Sequence, residues 1–479
     1  MAIQVAFGEW EPSFFGVTLQ FSGRRAWQTY RRLIYGEVDP VDNLPPDERF
    51  ETIAVGSATI HEMRHFHDSL LSSYCAHIAL QRTNMLANAL QLFPLLTEPG
   101  YEILPVPLGA WCRKSIENRE AWLSENLKDV SGRVIPLPYT GSPDSVHSGR
   151  YSKNFDGIAA LILACQRADN NIEQIITYSR YTFKDGTFFQ PWHVMELAAV
   201  DVQIEEISRI RGWNATKFFL RYLAQSRSAY GRLLSLYPSL QGKDGDQRTV
   251  LAMATWSMLG SYEQDKNYAM PSERLNRLMV SAGEGRTELS GGAIPDLFEH
   301  WSQQTGMSKV ESGVQEAKLV YQRIASNLKN IPSEILVRLG TGLEKASEHA
   351  ANWFLKNQIR YSAPDSYLDV HTELPNPSVR IVFDGSGLPL EQDQAAMEAQ
   401  GWNFPWLVEA DGGPIATTIL TPFTASSFSF ISGEDANAIA DLVDAARFLV
   451  SEKGRSQVKL KRFGNVYFAR KGLSPIEIF

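Results

Sequence analysis

Two histidines four residues apart are the strongest chemical feature of the chain, in the run His61-Glu62-Met63-Arg64-His65. Residues four apart in a helix lie about 40° apart around its axis, so both imidazoles project from one face and can hold one metal ion. Glu62 lies about 100° from His61, where a carboxylate can take a proton from a metal-activated water. With 9 histidines in 479 residues, such a run is expected by chance about 0.01 times. The motif therefore predicts one Zn²⁺ ion held by His61 and His65, with Glu62 as the catalytic base.

A catalytic zinc site needs a third protein ligand, and several residues could supply it. The metzincin pattern requires Gly and His three and six residues after His65, but Asp68 and Leu71 occupy these positions. We predict that Glu196 completes the site from a later helix, since the small residues after it would let the two helices approach closely. The alternatives are Glu348 and, more weakly, His193.

Two aspartates are candidates for supporting the site. Asp68 shares the helix face of His61, so it could ligate the metal, accept a hydrogen bond that fixes a histidine tautomer, or be an ordinary surface residue. Asp201 could play the same supporting part on the second helix. His67 and His77 are rotated away from the metal-binding face and are expected to be packing or surface histidines. The candidates for stabilising an oxyanion are Tyr262, Tyr268 and His349.

The run His61–Asp68, with Glu196 and Ala199 on a later helix, resembles the gluzincin group of zinc-dependent metallopeptidases. More loosely, it resembles uncharacterised bacterial proteins in which an HExxH helix is followed by an ExxA helix. The resemblance implies that the two motif histidines and Glu196 bind zinc, that Glu62 is the general base, and that the substrate is a protein or peptide. It covers only the two motif helices. Gluzincins carry Asp four residues after the ligand Glu, whereas this chain has Val200 there and the Asp one residue later.

The surrounding pattern predicts an α+β fold that is mainly α, with a zincin-like helical catalytic core. Residues 1–45 are expected to be a small β-rich N-terminal part, because an aromatic and β-branched run surrounds a glycine there. Residues 46–375 are expected to be the mainly helical, metallopeptidase-like domain, and residues 376–479 a small α+β unit. The segment 99–155 is rich in Pro, Gly and Ser and is predicted to be an ordered insertion or a lid over the cleft.

Composition disfavours other classes of protein. The net charge of −8 argues against nucleic acid as a partner. The first residues lack the basic and apolar regions of a signal peptide, and the longest strongly apolar run, 158–165, is too short to span a bilayer. The three cysteines are odd in number and far apart, as expected for free thiols in a reducing compartment. We therefore expect a cytoplasmic protein that does not associate with membranes.

Three functional hypotheses follow from these observations. The leading one is a soluble zinc-dependent metallohydrolase, most simply a peptidase. The second is a non-catalytic metal-binding or scaffold protein that keeps a zincin-like helix for interaction. The third is another metalloenzyme that uses the two histidines and a carboxylate to hold iron or manganese. The sequence does not determine the oligomeric state.

Overall fold

A computed structural model shows a mainly helical protein. The structure describes residues 8–11, 16–21, 32, 43–96, 103–104, 147–178, 181–182, 188–225, 247–265, 271–289, 291–331, 334–375, 378–383, 417–420, 458–461, 466–470 and 476–478. The helices that position the site are α1 (Pro46–Leu71), α2 (Ser73–Leu96), α3 (His147–Tyr178), α4 (Pro191–Gln225), α5 (Gln247–Met258) and α6 (Tyr262–Asp265). They are followed by α7 (Ser272–Gly283), α8 (Ile294–Thr305), α9 (Val310–Lys329), α10 (Glu334–Lys356), α11 (Gln358–Tyr361), α12 (Pro364–Val370) and a 3₁₀ turn (His371–Glu373).

The strands are short. They are β1 (Gly8–Glu11), β2 (Gly16–Phe21), β3 (Ile103–Leu104), β4 (Tyr181–Thr182), β5 (Phe188–Phe189), β6 (Ser378–Phe383), β7 (Thr417–Leu420), β8 (Val458–Lys461), β9 (Val466–Arg470) and β10 (Ile476–Ile478). One sheet has the order β1-β2-β6-β7, the second β10-β9-β8-β3, and β4 pairs with β5. Residue Gly16 aligns with Ser378 in the parallel β2–β6 pair, and Gly8 with Leu19 in the antiparallel β1–β2 pair.

The predicted fold class, α+β with a β-rich N-terminal part and a small α+β C-terminal unit, is wrong. Helices account for most of the described structure, and the protein is mainly helical. Aromatic and β-branched runs at both ends of the chain suggested larger β units, but such propensity is a weak guide compared with packing. The division at residues 45 and 375 stays a prediction. Most of the predicted lid, residues 105–146, lies outside the described residues.

Helix α1 lies at the centre of the helical core and packs against α2, α4, α9 and α10. Pro46 begins the helix, where its missing N–H costs no hydrogen bond. Ser72 ends it in an extended conformation, and its hydroxyl donates a hydrogen bond to the carbonyl of Met258 at 3.0 Å. The next residue, Ser73, donates to the carbonyl of Gly260 at 2.7 Å. These bonds anchor the carboxyl end of α1 to the α5–α6 connection and so fix the position of the motif residues.

Helix α4 packs against α1 along its first half. Ala199, three residues after Glu196 and so on the same face of α4, is fully buried, and its small side chain suits the close approach that the site needs. The helix is interrupted at Gly212, whose φ of 79° and ψ of 175° are not helical. Glycine reaches this positive φ without the steric cost that a Cβ would add. The break lies beyond the part of α4 whose residues Glu196 and Gln203 contact α1.

No helix in the described part of the chain is both long enough and apolar enough to cross a bilayer.

Candidate metal centre

Helices α1 and α4 bring His61, His65 and Glu196 together. The Nε2 atoms of the two histidines lie 3.2 Å apart. One Glu196 oxygen lies 3.4 Å from His61 Nε2, and its other oxygen lies 3.3 Å from His65 Nε2. The histidines are one helical turn apart on α1, so local geometry aligns them, whereas the packing of α4 on α1 supplies the carboxylate.

The spacing of these atoms fits a small tetrahedral cation. Zinc binds histidine nitrogen and carboxylate oxygen at about 2.0–2.2 Å, so two ligand atoms of a tetrahedral site lie about 3.3 Å apart. The 3.2 Å between the two histidine nitrogens matches this value, and Glu196 presents a different carboxylate oxygen to each histidine at 3.3 and 3.4 Å. Three ligands of this type leave one tetrahedral position for water or substrate, as in catalytic zinc sites. The donor set therefore suits Zn²⁺ in both chemistry and distance.

Glu62 lies next to these ligand atoms. Its Oε1 is 4.0 Å from His61 Nε2, and its side chain is only 5% exposed. The carboxylate is thus close to the ligand atoms but is not part of the metal-holding group formed by His61, His65 and Glu196. A general base needs such a place, within reach of a reacting water but not ligating the metal.

The site carries a negative charge that can attract a cation. Burial alone would lower the pKa of His65, but the Glu196 carboxylate, with smaller contributions from Glu62 and Asp68, more than offsets it and raises this pKa to about 9. Burial would raise the pKa of Glu196, but the charge of His65 and hydrogen bonds from both histidines hold it well below its usual range. Glu196 therefore stays ionised, and the attraction that holds a proton on His65 also acts on a metal ion.

Gln203 was not among the residues singled out in the sequence, yet it contacts a candidate ligand directly. Its Oε1 lies 3.0 Å from Nδ1 of His61, the ring nitrogen that does not face Glu196. Its amide nitrogen lies 2.8 Å from the hydroxyl of Ser57 on α1. Gln203 is seven residues, or two helical turns, after Glu196, and this shared helix face was the signal that could have revealed it.

The two aspartates expected to support the site are both buried. Asp68 Oδ2 accepts a hydrogen bond from Arg64 at 3.0 Å, and Oδ1 accepts one from the Tyr361 hydroxyl at 2.7 Å. These bonds use both carboxylate oxygens, so Asp68 is neither a surface residue nor a partner of His61 in the described contacts. Asp201 is fully buried on α4. That either aspartate orients a ligand stays a prediction.

The residues considered as alternative third ligands contact other groups. Glu348 forms an ion pair with Lys318 at 3.0 Å and is 52% exposed. His193, at the start of α4, accepts a hydrogen bond from the backbone N–H of Gln190 at 2.9 Å. Within the described residues, the group able to hold a metal consists of His61, His65 and Glu196.

The remaining polar candidates have partners of their own. His67 is fully buried between the Tyr367 hydroxyl, 2.8 Å from Nδ1, and the Pro375 carbonyl, 2.9 Å from Nε2. His77 lies 2.8 Å from a Glu316 oxygen. Among the residues considered for the oxyanion, Tyr262 packs its ring on His77 and His349 contacts the Glu373 carbonyl. Tyr268 lies outside the described residues.

No protein-family model, curated protein or solved structure matches the chain. The assignment of a function therefore depends on the site itself.

Proposed function

We propose that this protein is a zinc-dependent metallohydrolase, a cytoplasmic peptidase that acts on a protein or peptide. His61, His65 and Glu196 are the metal ligands, and Glu62 is the general base. The observation that carries the proposal is the meeting of His61, His65 and Glu196, whose possible ligand atoms, one from each residue, lie within 4.8 Å of one another. The resemblance of the two motif helices to gluzincins supports the choice of an amide substrate.

A bound zinc ion supplies the acidity of the attacking water and polarises the substrate carbonyl. The chain supplies the proton transfers. Glu62 takes one proton from water as the water oxygen bonds to the carbonyl carbon. The C–N bond then breaks, and Glu62 delivers that proton to the leaving nitrogen, so the carboxylate is regenerated and the products are an acid and an amine.

Access and compartment are consistent with this proposal. The Glu196 side chain is 19% exposed, whereas those of both histidines are 7% exposed, so Glu196 is the most exposed of the three proposed ligands. Cys75 and Cys165 are buried, unpaired thiols. Burial raises the pKa of each to about 12, which keeps them protonated and unreactive, as suits cysteines with a structural role in a reducing compartment.

The test combines metal analysis with one substitution. Protein purified without chelators should contain about one zinc ion per chain. Glu62→Gln should keep the zinc and lower hydrolysis of a quenched fluorogenic peptide library by about 10²–10⁴-fold, because the amide cannot accept the proton. Glu48→Gln is the matched control, since Glu48 lies exposed in the first turn of the same helix. Full activity of the Glu62 variant would refute its role as the base.

A second candidate function is a non-catalytic metal-binding protein. The burial of His61, Glu62 and His65, each at most 6% exposed, favours it because structural metal sites are closed to solvent. Stoichiometric zinc in a wild-type protein that hydrolyses no member of the peptide library would support this reading. Iron or manganese in place of zinc, identified by elemental analysis and absorbance, would indicate the third hypothesis.

A further inference from the structure

A chain of three hydrogen bonds leads from the backbone of α1 to His61. The Ser57 hydroxyl lies 2.9 Å from the carbonyl oxygen of Ile53 one turn earlier. A carbonyl oxygen can only accept, so Ser57 donates its single proton there. Ser57 must therefore accept from Gln203 across the 2.8 Å contact, and the donor is the Gln203 NH₂ group.

This reasoning fixes the orientation of the Gln203 amide. With its NH₂ group on Ser57, its carbonyl oxygen faces Nδ1 of His61 at 3.0 Å. An amide oxygen can only accept, so Nδ1 of His61 must carry a proton. In the neutral ring, Nε2 then presents its lone pair to the space shared with His65 and Glu196, and a metal ligand needs that form.

We propose that Gln203, held by Ser57, is the positioning residue that fixes His61 in the Nδ1–H tautomer and so presents Nε2 to a divalent metal ion. Gln203 is 7% exposed and Ser57 is 3% exposed, so water competes poorly for these bonds. The inference rests on the metal-binding part of the proposed function but not on catalysis.

His61 and His65 differ in the hydrogen bonding of Nδ1. Nδ1 of His65 is buried without a hydrogen-bond partner in the described part of the chain, whereas Nδ1 of His61 has Gln203. The orientation of His65 therefore depends on packing and on Glu196, while His61 has a dedicated acceptor. Because that acceptor is a neutral amide rather than a carboxylate, it orients the ring without adding negative charge to the site. Gln203→Glu should keep the orienting function, and Gln203→Met should lose it at similar volume.

The experiment measures zinc affinity by competition with a chromophoric chelator. Removing a partner that orients a metal-bound histidine typically costs 10–100-fold in metal affinity, and we expect Gln203→Met to fall in this range. Gln203→Glu should restore affinity to within about threefold of the wild type, because a carboxylate oxygen also accepts from Nδ1–H. Ser57→Ala should weaken zinc binding less than Gln203→Met does, because the amide loses only its orienting partner. Gln358→Met is the matched control, since Gln358 is a buried glutamine whose amide donates to Glu311 instead.

A second readout needs no metal. In metal-free, ¹⁵N-histidine-labelled full-length protein at mildly alkaline pH, long-range ¹H–¹⁵N spectra should show His61 protonated at Nδ1 in the wild type. In Gln203→Met, the population of His61 tautomers should shift toward the Nε2–H form. The variant His61→Gln lacks this ring and so identifies the signals of His61. A merely structural role for Gln203 would leave this tautomer unchanged.

The outcomes separate the two proposals. Absence of zinc binding by the wild type would overturn the proposed function. Zinc binding by the wild type with unchanged affinity and tautomer in Gln203→Met would overturn only the role of Gln203. If Gln203→Met does not fold, the test uses the His61 tautomer of the wild type and the zinc affinity of Ser57→Ala. An Nε2–H form of His61 in the wild type would refute the proposal.

Discussion

Helix α1 carries two polar clusters whose hydrogen bonding differs. The metal cluster consists of His61, Glu62 and His65 with Glu196 of α4. The arginine cluster consists of Arg64, His67 and Asp68 with Tyr361 and Tyr367. Both are buried and interleave along the same helix turns, but they differ in how fully the described structure satisfies their polar atoms: His65 Nδ1 has no partner there, whereas no polar side-chain atom of the arginine cluster is buried without one.

The completeness of the arginine cluster is visible atom by atom. Arg64 donates from Nε to Asp68, from one terminal nitrogen to the Tyr361 carbonyl at 2.9 Å, and from the other to Thr255 at 3.0 Å. Its guanidinium also lies 4.0 and 4.7 Å from the ring centroids of Tyr361 and Tyr367. A buried polar network that is fully bonded fixes the packing of the elements that share it. This cluster ties α1 to α5, α11 and α12.

The metal cluster has the opposite character. Possible ligand atoms of three residues lie within 4.8 Å of one another, and a ring nitrogen of His65 is buried without a partner among the described residues. Such incomplete bonding of buried polar groups calls for an explanation, and functional sites are a common one. The difference between the clusters teaches that hydrogen-bond completeness, rather than burial or charge, separates a structural polar cluster from a candidate binding site.

The largest expected effect on stability comes from a substitution in the arginine cluster. Arg64→Met should lower the free energy of unfolding by about 3–5 kcal/mol, because it leaves the Asp68 carboxylate buried without its cation. Chemical denaturation of the metal-free protein measures this. Arg209→Met is the control, because Arg209 is 41% exposed in its ion pair with Asp369, and exposed pairs contribute about 0–1 kcal/mol. Equal losses in the two variants would contradict the comparison.

Acid should lower the stability of the protein through His67, a member of the arginine cluster. Burial lowers the pKa of His67 from 6.5 to about 3. Between these values the unfolded chain binds a proton that the folded protein excludes, so stability falls as pH falls below about 6.5. The slope from this group reaches at most about 1.4 kcal/mol per pH unit.

The variant His67→Gln isolates that contribution, since glutamine does not titrate. The wild type should lose more stability than this variant between pH 6.5 and about 4, as followed by denaturation midpoints at each pH. Parallel pH profiles for the two proteins would show that His67 is not the acid-sensitive group.

The smallest effect on folding is expected at the metal cluster. Glu196→Gln should lower the metal-free stability at pH 7 by about 2–3 kcal/mol, because the carboxylate that raises the pKa of His65 to about 9 is lost. The loss should stay below that of Arg64→Met, because His65 can release its proton once the carboxylate is gone, whereas Arg64 cannot. Zinc should stabilise the wild type by about 2.7 kcal/mol at a free concentration one hundred times its Kd. This gain should disappear in the variant, as measured by thermal unfolding with and without zinc. A metal-free loss as large as that of Arg64→Met, or an unchanged stabilisation by zinc, would contradict this view of the site.

The sequence predicted more of the metal cluster than of the arginine cluster. The spacing of His61 and His65 predicts their shared face because the rotation per residue is fixed by the helix. The role of Asp68 stayed open, because the same rotation places it on the face of His61. The structure shows it bonded to Tyr361, 293 residues later in the chain. The predicted fold class was wrong because it gave too much weight to strand propensity at the ends of the chain. Helical packing dominates the structure.

By itself the sequence determined what depends on neighbouring residues: the helix, the pair of imidazoles one turn apart and the carboxylate beside them. Only the tertiary structure decided which distant groups meet them. Glu196 reaches the histidines, Gln203 faces Nδ1 of His61, and Tyr361 binds Asp68 because α4 and α11 pack against α1. Local geometry repeats every turn and can be computed from spacing, whereas these long-range contacts depend on the summed packing of the whole core.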